Sequence, residues 1–223
     1  MLPEATHDQH HPALAHQFDS LAAQSEATTL GMWVFLATEV LFFGGLFACY
    51  AVYRMWYPEA FAAASRSIDI TLGATNTVVL ITSSLTMALA VHAAQTGKRT
   101  LLMTFLVITM LLGVVFLGIK SVEYYQKFTE HHIPGPNFSF EDGKFNRHAQ
   151  LFFSLYFAMT WLHAAHMIIG LGIMLTMLWW SWRGIITPEY YSPIEISGLY
   201  WHFVDIVWIF LFPLLYLIGR HAH

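Results

Sequence analysis

The segment LLMTFLVITMLLGVVFLGIKSVE, residues 101–123, carries no charged side chain before Lys120. An uninterrupted apolar segment of about 20 residues crosses the hydrocarbon layer of a bilayer as an α-helix. Further apolar runs of similar or greater length lie at residues 30–53, 71–94, 149–182 and 199–219. These runs predict an all-α fold, a polytopic membrane helix bundle with five transmembrane helices.

The composition agrees with a membrane protein, since 57% of the 223 residues are hydrophobic and 11% are charged. Soluble chains carry roughly 25% charged residues. The formal net charge of -4 and the scattered Lys and Arg residues form no basic patch, so we expect no nucleic-acid partner. The single cysteine, Cys49, excludes an intrachain disulfide and any metal site built from several cysteines.

The first 29 residues form a polar tail without Lys, Arg or an apolar core, so they lack the features of a cleavable signal peptide. We therefore divide the chain into a tail, residues 1–29, and a membrane domain, residues 30–223. The tail contains His7, His10, His11 and His16. These histidines suggest metal binding, a tag remnant or a surface that exchanges protons near neutral pH, on a tail that we expect to be disordered.

Glu39 is the acid in the apolar stretch VFLATEVLFFGG, residues 34–45. It stands nine residues into its run, about 13 Å along the predicted helix, and its neighbours three and four residues away are apolar. Its partner must therefore come from another segment, or the carboxyl group is protonated. We interpret it first as an acid that joins helices, with proton handling or lipid contact as the alternative.

The fourth run contains His163 and His166, which lie three residues apart and share a helix face. Such a pair resembles part of a metal site, but no acid or cysteine in this run completes one. We expect the histidines to hydrogen-bond to an acid on another helix, with Glu39 as the candidate.

Two further polar pairs have the same spacing of three residues. In YWHFVDIVWIFLF, residues 200–212, His202 and Asp205 follow Trp201, and we expect a contact between them near the membrane interface. In the third run, Lys120 and Glu123 stand beside aromatic residues, and we expect an ordinary ion pair at the interface.

Several of these motifs together resemble subunit III of the haem–copper oxidases, the family of cytochrome c and quinol oxidases. The residues that carry the resemblance are GMWVFLATEVLFFGGLFACYAVYR, NTVVLITSSLTMALA, KSVEYYQKF, HAAHMIIG and YWHFVDIVWIFLF. It covers residues 31–219. It implies the short bacterial form, which lacks two of the seven helices found in other members and sits in the bacterial inner membrane with a cytoplasmic N-terminus.

The resemblance also implies a role. Such a subunit is non-catalytic and belongs to an aa3-type terminal oxidase, cytochrome c oxidase, in which it braces subunit I, binds structural phospholipids and supports proton uptake. Haem and copper lie in partner subunits, no metal lies in this chain, subunit II and a subunit IV are further partners, and cytochrome c supplies electrons. Glu39 corresponds to a buried, carbodiimide-reactive carboxyl near the histidines of the H-x-x-H motif, here His163 and His166. The histidine tail would collect protons at their entrance.

Orientation and function leave alternatives. With a cytoplasmic N-terminus, fewer Lys and Arg residues lie inside (Lys98, Arg99, Arg183) than outside (Arg54, Arg66, Lys127, Lys144, Arg147, Arg220), so the positive-inside rule mildly favours the reverse. A quinol oxidase subunit and a nitric oxide reductase accessory protein are alternatives within the family.

Outside the family, a five-helix di-haem electron carrier has a similar size and number of membrane histidines. His163 and His166 rise only about 4.5 Å apart along a helix, too close to serve two haems. A proton or metal transporter would also use a lone acid such as Glu39, but the sequence shows none of the internal repeats typical of many transporters.

Overall fold

The protein is described by a computed structural model that covers residues 14–136, 138–140 and 146–220. Its helices are α1 (Leu21–Trp56), α2 (Pro58–Arg66), α3 (Ile70–Gln95), α4 (Arg99–Thr129), α5 (Asn146–Arg183) and α6 (Ser192–Phe212), and α6 continues as a wider turn through Pro213–Leu217 and a tighter one at Ile218–Arg220. Five helices, all except α2, are long and apolar enough to cross a membrane. The predicted five-helix bundle is confirmed, and the described residues form no strand.

The first helix begins earlier than the sequence predicted. Ser20 caps α1, because its hydroxyl accepts a hydrogen bond from the backbone N–H of Ala23 at 3.2 Å. The helix therefore starts at Leu21, nine residues before the apolar run at residue 30, and the expectation of a disordered tail is wrong for residues 21–29. Polar residues such as Gln24 and Ser25 form the first turns of the helix, ahead of the apolar run. Hydropathy alone does not detect these turns.

Helices α3 and α4 are joined by a short turn that depends on glycine. Gly97, between α3 and α4, has a φ of +69°, a left-handed conformation that residues with a Cβ atom rarely adopt. The turn places α3 and α4 side by side in opposite directions, and this pair makes the most extensive helix contact in the bundle. Helices α3 and α4 therefore form a closely packed antiparallel pair.

Helix α6 lies at the centre of the bundle and α1 at its edge. In the most apolar part of each helix, 56% of the residues of α6 are buried, against 17% for α1. The outward faces carry large apolar side chains, including Leu41 on α1, Leu111 on α4 and Ile168 on α5, which are 76%, 61% and 60% exposed. Such a surface is suited to lipid and to other membrane helices, not to water.

Trp201 anchors α6 between its neighbours. Its ring lies against Gly113 of α4 and Gly170 of α5, where a Cβ atom would come within 2.9 Å and 3.0 Å of the indole. Its Nε1–H donates a hydrogen bond to the hydroxyl of Ser83 on α3 at 3.1 Å. One fully buried side chain on α6 thus contacts three other membrane helices. The sequence assigned Trp201 to a polar motif, whereas its main role in the structure is packing.

Candidate functional site

The edge of the bundle holds a contact between an acid and a histidine. Glu39 of α1 lies with its Oε2 atom 3.2 Å from Nε2 of His166 on α5, and both side chains are largely shielded, at 18% and 12% exposure. The imidazole also lies beside the ring of Phe43, with 5.4 Å between ring centroids. The structure therefore brings Glu39 to one histidine of the predicted pair.

The other nitrogen of His166 fixes where its protons lie. Nδ1 is 2.9 Å from the backbone carbonyl oxygen of Leu162, and a carbonyl oxygen only accepts hydrogen bonds, so Nδ1 carries a hydrogen. A hydrogen bond between Nε2 and the Glu39 carboxyl group needs one more proton, which either partner can hold. The contact is therefore either a neutral acid beside a neutral imidazole or an ion pair, and the two forms differ by one short proton transfer.

His163 has different surroundings, although it lies on the same helix three residues before His166. Its ring packs against Phe116 at 5.4 Å and Trp208 at 5.3 Å between centroids. Neither ring nitrogen has a hydrogen-bond partner among the described residues, and the side chain is 1% exposed. The expected hydrogen bond between His163 and an acid is therefore not formed among the described residues. Three residues along a helix rotate a side chain by about 60° relative to His166, and this rotation points His163 towards the bundle interior.

The pair Lys120 and Glu123 forms the centre of a buried polar network. Lys120 Nζ lies 3.1 Å from Oε2 of Glu123, and the side chains are 3% and 1% exposed. Lys120 also donates to the hydroxyl oxygen of Tyr216 at 2.9 Å, and more weakly to that of Tyr156 at 3.3 Å. The hydroxyl groups of Tyr156 and Tyr216 donate to Oε1 of Glu123 at 2.5 Å and 2.6 Å. The network joins α4, α5 and the turn that follows α6.

The ion pair is therefore not the ordinary interfacial pair that the sequence suggested. The ammonium group of Lys120 is surrounded by the rings of four aromatic residues, with Nζ between 5.0 Å and 5.6 Å from the ring centroids of Tyr124, Tyr156, Trp208 and Tyr216. Aromatic faces attract cations, so these rings stabilise the buried charge together with Glu123. The spacing of three residues correctly predicted that Lys120 and Glu123 would pair. It could not predict that the pair is buried, because the burial depends on residues of α5 and α6 that lie far away in the sequence.

His202 and Asp205 form no hydrogen bond with each other, contrary to the expected pairing. Nδ1 of His202 lies 2.7 Å from the hydroxyl of Ser84 on α3. Asp205 is 3% exposed, and neither carboxyl oxygen has a hydrogen-bond partner in the described part of the chain. Asp205 also lies in the middle part of the span Ser192–Leu217, not at one of its ends. The nearby hydroxyl on α3 provides His202 with a partner on another helix.

Sequence reasoning missed Tyr156, Tyr216 and Ser84 as partners of these sites. A signal existed for Tyr156, because a tyrosine inside an apolar run brings a hydroxyl that needs a hydrogen-bond partner when buried. Of the histidines in the tail, His16 is exposed and lies in a turn, while His7, His10 and His11 lie outside the described residues. No group of three His, Cys, Asp or Glu side chains suited to a metal ion occurs in the described ranges.

The fold and these contacts define a class of protein, a multi-pass helical membrane protein in which polar side chains such as Tyr156 and His166 hydrogen-bond to an acid on another helix. A family model described as cytochrome c oxidase subunit III matches residues 15–220. The chain belongs to the cytochrome c oxidase subunit III family, which confirms the resemblance seen in its motifs. Membership implies that it associates with other oxidase subunits.

Similar proteins carry both kinds of oxidase name. The chain is 30% identical to the probable quinol oxidase subunit 3 of Staphylococcus haemolyticus over 203 residues, 90% of this chain and 94% of that protein. It is 31% identical to the cytochrome c oxidase subunit 3 of Alkalihalophilus pseudofirmus over 190 residues, 85% and 86% of the two chains. It is 29% identical to the cytochrome bo(3) ubiquinol oxidase subunit 3 of Pseudomonas aeruginosa over 207 residues, 92% of each. These relatives agree on the subunit and differ in the electron donor.

Proposed function

We propose that the chain is the non-catalytic subunit III of an aa3-type cytochrome c oxidase in a bacterial inner membrane, with its N-terminus in the cytoplasm. In this role it braces subunit I, binds phospholipid and supports proton uptake during O2 reduction. The relatives named cytochrome c oxidase subunit 3 support cytochrome c as the electron donor of the complex. Those named quinol oxidase subunit 3 make quinol the second candidate for the donor.

The observation that carries a non-catalytic role is the closed network around Lys120 and Glu123. Its charged and hydroxyl groups are paired with one another, and both charged side chains are almost fully buried. A network without access to a substrate is suited to holding helices together, not to turning over a substrate.

We place the haem and copper of the complex in partner subunits, with subunit II and a subunit IV as further neighbours. The packing of His163 favours this arrangement over a di-haem carrier, because Phe116 and Trp208 occupy the space beside its ring that a haem would need.

The test is to purify the complex through a tag on this chain. We expect a haem–copper catalytic subunit to copurify and O2 consumption to be supported by reduced cytochrome c. Activity with quinol alone would assign the second candidate. If a nitric oxide reductase subunit copurifies in place of an oxidase subunit, the chain is a nitric oxide reductase accessory protein. If the chain purifies with haem bound to it and without a catalytic partner, the proposal is contradicted.

The proposed phospholipid site is an apolar groove of about 480 Å³ between α1 and α6. Its walls include Leu36, Phe43 and Phe47 from α1 and Phe203 and Phe210 from α6. The loose packing of α1 leaves this groove open to the outer surface, where lipid tails would lie. An acyl chain fits such walls because it makes dispersion contacts without requiring hydrogen bonds.

Filling the groove should release the lipid. Gly44 lines the groove, and nothing lies within 4 Å of a Cβ atom at this position, so Gly44→Phe introduces a ring without a backbone clash. Gly45→Phe is the matched control, because Gly45 is equally free of neighbours but is not part of the groove. We expect Gly44→Phe to lower the phospholipid retained by the purified complex, measured by native mass spectrometry, and Gly45→Phe to retain it. Equal retention would exclude this groove as the lipid site.

Glu39 should be peripheral to the redox reaction. In Glu39→Gln the amide can still donate a hydrogen bond to Nε2 of His166, so we expect assembly and the first electron transfer to remain nearly unchanged. Loss of proton exchange at this contact should instead appear over many turnovers as faster inactivation. The readouts are the haem content of the complex, stopped-flow reduction and activity during continuous turnover. An unassembled or haem-deficient oxidase would contradict a peripheral role.

We propose that the histidines of the tail collect protons on the cytoplasmic side. Replacing His7, His10, His11 and His16 with glutamine should lower steady-state turnover above neutral pH, where protons are scarce. His131→Asn is the control, because this exposed histidine follows α4 at the opposite end of the bundle and its positive φ is one that asparagine tolerates. Unchanged turnover in the tail variant would exclude the role.

A further inference from the structure

Asp205 is an acid that the contacts within the described chain leave unsatisfied. It is 3% exposed, and both carboxyl oxygens lack a hydrogen-bond partner among the residues that the structure describes. Placing a carboxyl group in such surroundings without a hydrogen bond is costly in a membrane, where no bulk water is available to compensate. A hydrogen-bond donor from outside the described residues would therefore stabilise the carboxyl group of Asp205.

The acid lines a cleft that opens on the outer face of the bundle, between α3 and α6. The cleft has a volume of about 290 Å³ and contains the side chains of Ser84, His202 and Asp205. Its rim includes Ile81 and Ile209, which are 54% and 45% exposed. Three polar groups are thus gathered in an otherwise apolar recess that another molecule can enter from the side.

The polar groups are not equally occupied. Ser84 and His202 are engaged with each other through the hydroxyl and Nδ1 at 2.7 Å. The carboxyl oxygens of Asp205 remain, and in either protonation state at least one of them accepts a hydrogen bond. The chemistry missing from the cleft is therefore a hydrogen-bond donor, and a cationic donor would also balance the charge of the acid.

The depth of the cleft restricts where that donor comes from. Asp205 is 13 residues from the start of α6 at Ser192, about 20 Å along the helix. Ser84 is 14 residues from the start of α3 at Ile70, about 21 Å along an antiparallel helix. Helix α3 and the span Ser192–Leu217 each have 26 residues, about 39 Å, so both side chains lie near the middle of their helices and of a hydrocarbon layer roughly 30 Å thick, out of reach of a phospholipid head group at its surface. A donor at this depth is carried by another membrane-spanning helix.

We propose that the cleft at Ser84, His202 and Asp205 receives a hydrogen-bond-donating side chain from a membrane-spanning helix of another oxidase subunit. The proposal rests on the function proposed above, and it specifies which face of this chain meets a partner. Asp205 accepts the hydrogen bond, His202 and Ser84 form the polar wall, and Ile81 and Ile209 pack against the partner helix.

Photocrosslinking in the intact wild-type complex tests the location. The photoreactive residue benzoylphenylalanine is introduced at Ile81 or Ile209 on the rim and, as controls, at Leu41 on α1 or Ile168 on α5, which are also apolar and exposed. We expect the rim positions to crosslink to another oxidase subunit. Crosslinks from the rim only to lipid, or to a second copy of this chain, would overturn the proposal.

Two substitutions test the chemistry. Asp205→Asn keeps an oxygen that accepts a hydrogen bond, whereas Asp205→Leu removes it. We expect Asp205→Leu to weaken binding of this chain to the complex by roughly tenfold to a hundredfold, the effect of losing a hydrogen bond to a charged group, and Asp205→Asn to weaken it less. Binding is measured as the ratio of this chain to the catalytic subunit after dilution in detergent. Undiminished retention of Asp205→Leu would overturn the proposal.

The results separate this proposal from the function on which it rests. If only the control positions crosslink to an oxidase subunit, the chain is still a subunit of the complex and the partner meets a different face. If the wild-type chain copurifies with no catalytic subunit and no position crosslinks to one, the proposed function fails as well. The crosslinking experiment leaves Asp205 intact, so its outcome does not depend on whether Asp205→Leu folds.

Discussion

Replacing Glu123 with leucine is expected to lower the free energy of unfolding by about 3–5 kcal/mol, the cost of breaking a buried ion pair from one side. Lys120 would lose the carboxylate 3.1 Å away and remain as a buried cation, since its side chain is 3% exposed. The hydroxyl groups of Tyr156 and Tyr216 would at the same time lose the oxygen to which both donate. Stability is measured by unfolding the protein in mixed detergent micelles with increasing fractions of dodecyl sulfate.

A second ion pair on the same helix provides a matched control. Lys127 and Glu130 have the same spacing of three residues, but Glu130 is 46% exposed and Lys127 also donates to the backbone oxygen of Ser67 at 2.8 Å. Glu130→Gln should therefore cost less than Glu123→Leu, because the carboxyl group of Glu130 is half exposed and buried Lys127 keeps its hydrogen bond to Ser67. The double variant Lys120→Met with Glu123→Leu should be more stable than Glu123→Leu alone, because no unpaired charge remains. A single variant as stable as the wild type would contradict the buried network.

Trp201→Ala should destabilise the bundle by about 3–5 kcal/mol, as is typical for removing a fully buried tryptophan. The substitution would empty the space beside Gly113 and Gly170 and leave the hydroxyl of Ser83 without the indole N–H that it accepts. The same unfolding measurement checks the result. Trp161→Ala is the control, because Trp161 is 66% exposed on the outside of α5 and should change stability by less than about 0.5 kcal/mol.

The glycine beside the indole gives an independent test of the same packing. In Gly113→Val the new side chain meets the indole of Trp201, since a Cβ atom alone comes within 2.9 Å of it, and we expect a loss of about 1–3 kcal/mol. Gly118→Val lies on the same helix with nothing within 4 Å of its Cβ atom and should be tolerated. Equal stability of the two valine variants would show that Trp201 does not anchor α6 at this point.

The sequence predicted the helices well because crossing a membrane requires a long apolar segment, and this signal is local. The start of α1 at Leu21 was missed because the first turns of the helix are polar and precede the apolar run. The central position of α6 was not predictable from hydropathy, since α6 and α1 are both strongly apolar and differ in what packs around them.

The candidate site was predicted less completely, because spacing along a helix gives neighbours but not the preferred partner. Lys120 and Glu123 do meet, as their spacing indicated. His202 has the same spacing from Asp205 but contacts Ser84 on another helix instead. Which contact forms depends on what the facing helix offers, and this information is spread over distant parts of the chain.

The network around Lys120 also has a consequence for the order in which the protein is made. Tyr216 is 96 residues after Lys120 in the chain, and its hydroxyl both accepts from the lysine and donates to Glu123. During synthesis α4 leaves the ribosome long before this tyrosine exists. The charged pair must therefore wait, incompletely surrounded, until Tyr216 has been added, so a chain terminated before this residue carries an open polar defect between its helices.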